Sequence, residues 1–469
     1  MSRFESEGLV MPHPEEYDVV VLGSGAPGKL IAWTLASRGQ RVAVVERQYV
    51  GGSCPNIACL PSKNIIHGAR VAEFVRRSDE FGISRGDWKV DMAVVRDRKR
   101  KMVDGLVEMH LTKYRDSGAE LVMGSGCFVA PKTIEVTLNS GGTRTLHGQT
   151  VVINTGSRAR LDNTPGLSES GSLTHVEALE LDRLPEHLIV LGGGYVGLEL
   201  AQAFRRFGSR VTVVERNAAL IHREDEDVTQ AVEQLLRDEG IEIRTGTIVD
   251  RVEGKSGESV RLHTTGGVIE GTHLLVAGGR TSNTDGIGLE AVGVEVDARG
   301  HVKVDERLRT TAEGVWAAGD CAGSPYFTHI GEDDLRVLLA NLTGGDRVTT
   351  GRQVPYCLFT DPELARVGLS EREARERGVR YRLAKLPMKG VLRAWTLSET
   401  RGFYKALIEA DGERILGFTA FGPEAGEVMA VVQVAMLSGT PYTTLQDAVL
   451  THPTMAEGLA GLFGSVPNG

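Results

Sequence analysis

The chain has 469 residues, 41% hydrophobic and 25% charged, with a formal net charge of -9. That length suits roughly three domains, and the acidic surplus disfavours nucleic acid as a bulk electrostatic partner. No run of 18 or more apolar residues predicts a membrane span, residues 1–18 lack the apolar centre of a signal peptide, and five cysteines are too few for a disulfide framework. A reducing cytoplasm fits this pattern.

Residues 17–22 form a short apolar run of strand type that leads into Gly23-Ser24-Gly25-Ala26-Pro27-Gly28. A helical pattern follows to Ser37, Gly39 stops it, and a second strand over 41–45 ends in Glu46. This is a βαβ unit with the dinucleotide fingerprint. Its glycines permit a tight turn and close approach of a pyrophosphate to a helix N-terminus, while the acid reaches a ribose hydroxyl.

Next comes Gly51-Gly52-Ser53-Cys54-Pro55-Asn56-Ile57-Ala58-Cys59-Leu60-Pro61-Ser62-Lys63. Residues five apart on an ideal helix have Cα atoms about 8.6 Å apart, whereas a disulfide needs roughly 4.4–6.8 Å. Both cysteines therefore cannot lie within one regular helix and be bonded. Proline favours the first helical position, so Pro55 predicts Cys54 just outside a helix start, its thiolate favoured by the dipole, and Cys59 one turn further in. A reversible redox pair is the expectation; two unrelated packing thiols is the alternative.

Residues 70–115 read as helical, with the basic run 96–101 as a solvated face. Strands are expected over 121–136, and residues 161–185 mark the passage to a second nucleotide unit. There the fingerprint recurs as Gly192-Gly193-Gly194-Tyr195-Val196-Gly197, followed by a helix to Phe207 and a strand over 210–214 ending in Glu215. In each copy the acid lies 23 residues after the first glycine (46 − 23 and 215 − 192). Two dinucleotide sites with a cysteine pair behind the first predict one site for FAD and one for a nicotinamide, with electrons running from nicotinamide through flavin to the cysteines. Glu215 favours NADH by repelling a 2′-phosphate; Arg216 beside it keeps NADPH open. From Gly351 onward, strands over 356–359, 403–408 and 415–421, a turn at Asp411-Gly412 and a helix over 424–437 suggest an antiparallel sheet with one covering helix.

In order, these segments resemble the group I pyridine nucleotide-disulfide oxidoreductases. The resemblance also takes in Thr155-Gly156-Ser157, Ala277-Gly278-Gly279-Arg280, Ala317-Ala318-Gly319-Asp320 and His452-Pro453-Thr454-Met455-Ala456-Glu457. It implies an α/β chain with two Rossmann-like domains and a C-terminal α+β dimerisation domain. The FAD domain would take residues 1–160 and 285–350, the NAD(P) domain 161–284 and the interface domain of a homodimer 351–469. By resemblance, Gly23, Gly25, Gly28, Glu46, Gly52 and Ser53 hold the ADP half of FAD, and Asp320 with Gly319 holds its ribityl or pyrophosphate part. Thr155, Gly156, Ser157, Thr328 and His329 line the same cofactor, and the backbone at Cys127 meets its adenine. Cys59 resembles the sulfur beside the flavin and Cys54 the interchange sulfur, with Lys63 and Glu199 as the ion pair beside flavin N5. Gly192, Gly194, Gly197, Glu215, Gly279 and Arg280 belong to the nicotinamide nucleotide site, gated by Tyr195. His452, oriented by Glu457, resembles the general acid/base that reaches the other subunit's cysteines; such exchange needs a proton acceptor and donor. No metal site is expected.

Three departures stand out: Ala58 replaces the usual glycine before the second cysteine, Pro55 an apolar or small residue, and Ser282 a proline. The chain carries no vicinal cysteine pair near Gly469 and no N-terminal CxxC domain, which weakens mercury reduction. Even so, Phe327-Thr328-His329-Ile330 and Thr451-His452 look closer to a mercuric-reductase-like branch, including reductases induced by reactive chlorine, than to dihydrolipoamide dehydrogenase. The acceptor expected is a small-molecule disulfide. A metal ion or oxidant, or dihydrolipoamide with NAD⁺ in the reverse direction, is the alternative; a flavin scaffold without activity is disfavoured.

Overall fold

A computed structural model describes residues 13–467; residues 1–12 of the acidic N-terminal segment lie outside them. The chain divides into two compact units. The first runs to Leu60 and adds Lys101–Arg158 and Arg280–Gly351; the second comprises Pro61–Arg100, Ala159–Gly279 and Arg352–Gly469.

In the first unit, strand Glu15–Leu22 lies parallel to Val42–Glu46 on one side and to Thr143–Ile153 on the other. Glu120–Ala130 extends the sheet parallel to Val42–Glu46, and Val315–Ala317 extends it parallel to Thr143–Ile153. Thr133–Leu138 joins antiparallel between the two long strands. Side chains alternate across a strand. Val19 and Val21 therefore pack with Ile31, Leu35, Val337 and Leu338 of the helices Ala26–Ala36 and Thr328–Leu342. Val20 and Leu22 face a separate core with Phe128, Ile134 and Val136. A sheet covered on both faces explains the unbroken apolar runs.

In the second unit, four parallel strands lie in the order His273–Val276, His187–Leu191, Arg210–Val214, Glu242–Arg244. A three-stranded antiparallel sheet (Val249–Lys255, Ser259–Thr264, Gly267–Gly271) accompanies them. A five-stranded antiparallel sheet runs Tyr356–Leu358, Glu363–Gly368, Ile415–Gly422, Phe403–Glu409, Tyr381–Pro387. Helix Ala425–Leu437 buries Val428 and Val432 in the core with Ala365 and Phe418, and leaves Val434 and Leu437 exposed.

Two sequence expectations change. Residues 70–115 are not one helix but two, Cys59–Arg76 and Met92–Ser117. Gly82 adopts φ 72° between them, and Asp91 accepts from the backbone N–H of Ala93 and Val94 to restart the helix. The C-terminal sheet also has two strands the pattern hid. In Glu363–Gly368, four consecutive residues are buried, among them Arg366, which erases the alternation. Among the described residues, no helix is long and apolar enough to cross a membrane.

Candidate active site

Helix formation around the cysteines breaks in two. Ser53–Asn56 is a short helical turn and Cys59–Arg76 a separate helix. The backbone N–H groups of Ile57 and Ala58 both donate to the Ser53 carbonyl at 2.9 Å. This turn folds Cys54 back onto Cys59, so the two thiols hydrogen-bond to each other. The expected placement of Cys54 at the start of the helix that contains Cys59 is thus corrected: Cys59 itself opens that helix. The expected lowering of the Cys54 pKa is reversed. Its hydrogen bond with Cys59 and its burial push the thiol up, while Thr328 and Lys29 act in the opposite direction. Thr328 Oγ1 lies 3.4 Å from Cys59 Sγ.

The glycines of the first fingerprint sit where a side chain would not fit. Gly23 has φ 103°, and a Cβ there would collide with the Asn154 carbonyl; one on Gly28 would collide with the Gly23 carbonyl. A Cβ on Gly52 (φ 82°) would lie 2.6 Å from Gly25 Cα, so the redox segment lies against the fingerprint turn. In the first turn of helix Ala26–Ala36, Pro27 carries no N–H, and the Gly28 and Lys29 N–H groups are taken by Asn154 Oδ1 and the Gly25 carbonyl, so the Gly25 and Ala26 N–H groups are the donors an anion would meet. Glu46 is spent locally: its carboxylate accepts from Ser24 N (3.0 Å), Ser24 Oγ (2.7 Å), Gln48 N (2.9 Å) and Tyr49 N (3.0 Å).

Asn154, which the sequence reading passed over, ties this turn to the segment around Asp320. Its Oδ1 accepts from Gly28 N at 3.0 Å and its Nδ2 donates to the Ala318 carbonyl at 2.9 Å. Gly319 N donates to the fully buried Asp334 at 2.8 Å. Asp320 is hydrogen-bonded by Ser157, and Arg280 holds Ser157 Oγ at 2.8 Å. Burial raises the Asp320 pKa against the pull of Ser157 and Arg280. Thr155 and Gly156 are bridged to Asn283 by its side chain and its N–H, each at 3.0 Å. His329 stacks on Phe327 with centroids 5.4 Å apart. Cys127 packs beside Gly288, and Cys321 is completely buried with its thiol toward the Ile153 and Ala318 carbonyls.

The second fingerprint repeats this construction. A Cβ on Gly192 (φ 119°) would lie 2.6 Å from the Ala277 carbonyl oxygen, and one on Gly197 would collide with the Gly192 carbonyl. Glu215 accepts from Gly193 N at 2.7 Å and from Asn217 N at 2.7 Å, as Glu46 accepts from Ser24. Gly194 faces open space before the uncapped helix Tyr195–Phe207. Gly279, at φ 133°, lies beside Arg160.

Tyr195 is held. Its hydroxyl donates to Glu224 at 2.9 Å, Tyr356 donates to the same oxygen at 2.5 Å, and the two rings lie 5.6 Å apart. Arg366 is bonded to Tyr356 and lies 3.3 Å from Glu224. Nothing near Tyr195 in the sequence announced this network. Lys63 meets Glu199 at 2.7 Å, and the other Glu199 oxygen accepts from Phe359 N at 2.9 Å. Lys63 lies four residues after Cys59 on one helix, hence on the same face. His452 Nδ1 lies 2.8 Å from Glu457, with 65% of the imidazole side chain exposed and only 19% of the acid's.

The description "pyridine nucleotide-disulphide oxidoreductase" matches residues 17–334, and its dimerisation domain matches residues 354–462. The chain is 35% identical to the probable pyridine nucleotide-disulfide oxidoreductase RclA of Escherichia coli, over 96% of this chain and 99% of the relative. It is 36% identical to a mercuric reductase of Streptomyces lividans, over 94% of each. The solved Cu(II) complex of the HOCl-induced flavoprotein disulfide reductase RclA from E. coli superposes with a TM-score of 0.89 at 34% identity, covering 96% of this chain and 99% of that one.

Proposed function

The chain belongs to the pyridine nucleotide-disulfide oxidoreductases, and on that premise we propose an NADH-using enzyme that carries FAD and reduces a small-molecule disulfide through Cys54 and Cys59. The observation that carries this reading is the contact of the two sulfurs in the segment whose Gly52 lies against the first dinucleotide fingerprint. Bound flavin would accept two electrons from the nicotinamide and deliver them to the Cys54–Cys59 disulfide.

The residues then have separable roles. Gly23, Gly25, Gly28 and Gly52 keep side chains out of the turn where the FAD pyrophosphate is expected, and the Gly25 and Ala26 N–H groups at the helix start supply its donors. Asp320, its carboxyl kept from ionising easily, is suited to bonding a polyol or pyrophosphate group. Thr328 lies against both sulfurs, and Cys54 is the one that faces the acceptor. Glu199 fixes the Lys63 ammonium. The Glu224 and Tyr356 hydroxyl contacts hold the Tyr195 ring that nicotinamide must displace. His452, its tautomer set by Glu457, takes the proton as Cys54 attacks and returns it to the leaving thiol.

Glu215, only 7% exposed and locked onto Gly193, places a carboxylate where a 2′-phosphate would be repelled, which supports NADH. The exposed His452 and the apolar stripe Val434 and Leu437 support a homodimer in which this histidine serves the partner's cysteines. The four-segment division at residues 160, 284 and 350 and a cytoplasmic setting belong to the same proposal.

A second reading, reduction of a metal ion or oxidant, is favoured by relatives named as mercuric reductase and as a Cu(II) complex. Anaerobic titration with NADH and then NADPH, followed by a panel of disulfides, Hg(II), Cu(II) and hypochlorite, separates the two. Disulfide turnover exceeding metal-stimulated NADH oxidation supports the first reading. The reverse order moves the assignment to the second, and no flavin reduction by either nucleotide refutes both.

A further inference from the structure

Lys29 sits on the first turn of helix Ala26–Ala36, beside the redox segment rather than in open solvent. Its ammonium donates to the Gly51 carbonyl at 3.2 Å and meets His110 Nε2 at 3.0 Å. His110, on helix Met92–Ser117, is 6% exposed and stacked on Trp33 with centroids 5.7 Å apart. An ammonium can only donate, so Nε2 is the acceptor and the ring proton resides on Nδ1. Nδ1 is buried without a partner, and a Cβ on Gly51 (φ 91°) would lie 2.5 Å from it. The imidazole is therefore wedged between Lys29 and the backbone that leads into Cys54.

We propose that Lys29, fixed by His110 and the Gly51 carbonyl, is a positioning residue that stabilises Cys54 as a thiolate when the disulfide is open. The step is an ionisation: the S–H bond of Cys54 breaks heterolytically, its proton passes to the base His452, Lys29 stays charged and no electrons move. The charged groups around this site agree in sign. Cys54 and Glu332, the latter on helix Thr328–Leu342, both favour the ammonium, against burial that lowers the Lys29 pKa. Burial first, then the Lys29 charge, pushes His110 down to about 4. The imidazole thus stays neutral and able to accept throughout the working range. Cys54 itself has Cys59 and burial raising its pKa, with Thr328 and Lys29 as the counterweights. Without Lys29, Thr328 would be the remaining counterweight.

This inference rests on the reading of Cys54 and Cys59 as a redox pair, and one protocol tests the two separately. FAD-loaded protein is reduced with dithiothreitol, desalted anaerobically and alkylated with iodoacetamide between pH 5 and 10, with Cys54 modification read by peptide mass spectrometry. K29M should slow Cys54 alkylation at pH 7 by about three- to tenfold, equivalent to a midpoint rise of up to about one pH unit. K29R should recover most of the rate. H110F, which keeps the ammonium and removes its acceptor, should shift the midpoint the same way by less. Superimposable profiles for K29M, or for H110F should K29M not accumulate as a flavoprotein, overturn the proposal. So does a K29R profile as slow as that of K29M, because charge would then not be the cause. Failure of the underlying reading looks different: thiol titration under air and after reduction would return the same number instead of differing by two.

Discussion

Lys405 is completely buried, and its ammonium meets Asp225 at 2.8 Å, Asp227 at 2.8 Å and Glu371 at 3.1 Å. Lys385 adds a second contact to Asp227 at 2.5 Å, and the backbone N–H groups of Glu371 and Arg372 donate to Asp225. K405M keeps the stem and removes the charge. Three carboxylates whose oxygens lie within 4.8 Å of one another then lose their central cation. Removing one partner of a buried ion pair costs about 3–5 kcal/mol. The cost should depend on pH in a defined sense. Burial works against ionisation of Asp225 and Asp227, but hydrogen bonds from Lys405 and the Arg372 and Glu371 backbone to Asp225, and from Lys385 and Lys405 to Asp227, outweigh it and hold both below the usual carboxylate range. Groups with depressed folded pKa values contribute stability that is complete above the unfolded value, near pH 4, and lost as pH falls through the folded one. In K405M these carboxyls rise instead, so protonation relieves their repulsion. Urea unfolding of the FAD-loaded native and K405M proteins at pH 7.5 and pH 5 should show a large deficit at the higher pH and a smaller one at the lower. A deficit under about 1 kcal/mol, the range of an exposed pair, or one that grows on acidification, refutes the reasoning. Because Glu224 precedes Asp225 and holds Tyr195, K405M should also raise the KM for NADH.

Reduction of the native protein by NADH should generate absorbance at wavelengths beyond those of free flavin; C59S should abolish it and C54S retain it, and loss in both alike would undo the assignment of inner and outer sulfur. G52A forces φ 82° on a residue with a Cβ placed 2.6 Å from Gly25 Cα, a strain of about 1–3 kcal/mol, and should release FAD on gel filtration that the native protein retains. H452A should lower disulfide turnover by roughly 10²–10⁴-fold while leaving NADH-dependent flavin bleaching intact; equal loss of both half-reactions contradicts an acid/base role on the thiol side. E215A should narrow the preference for NADH over NADPH, visible as the ratio of the two kcat/KM values, and an unchanged ratio removes this residue from nucleotide discrimination.

What could be read directly were features imposed by backbone geometry over short distances. A strand turning into a helix around a pyrophosphate requires glycine at fixed intervals, and both copies have it; Gly23 and Gly192 each face the carbonyl just past the end of a neighbouring strand. The cysteine spacing likewise declared its incompatibility with a single helix. Even there Pro55 misplaces the helix start, because it suggests a first turn but cannot reveal that Ile57 and Ala58 share the Ser53 carbonyl.

The acid ending each second strand was recognisable, but its satisfaction by backbone N–H groups was not. Asn154 bonding Gly28 across 126 positions, His110 meeting Lys29 across 81 and Lys405 meeting Asp225 across 180 left no trace in any local pattern. Alone, each resembles an ordinary polar residue. Short-range order in this protein follows from which backbone angles each residue tolerates, a property carried by the residue itself. A buried charge is tolerable only when an opposite charge reaches it, and which one does is settled when distant strands and helices become neighbours.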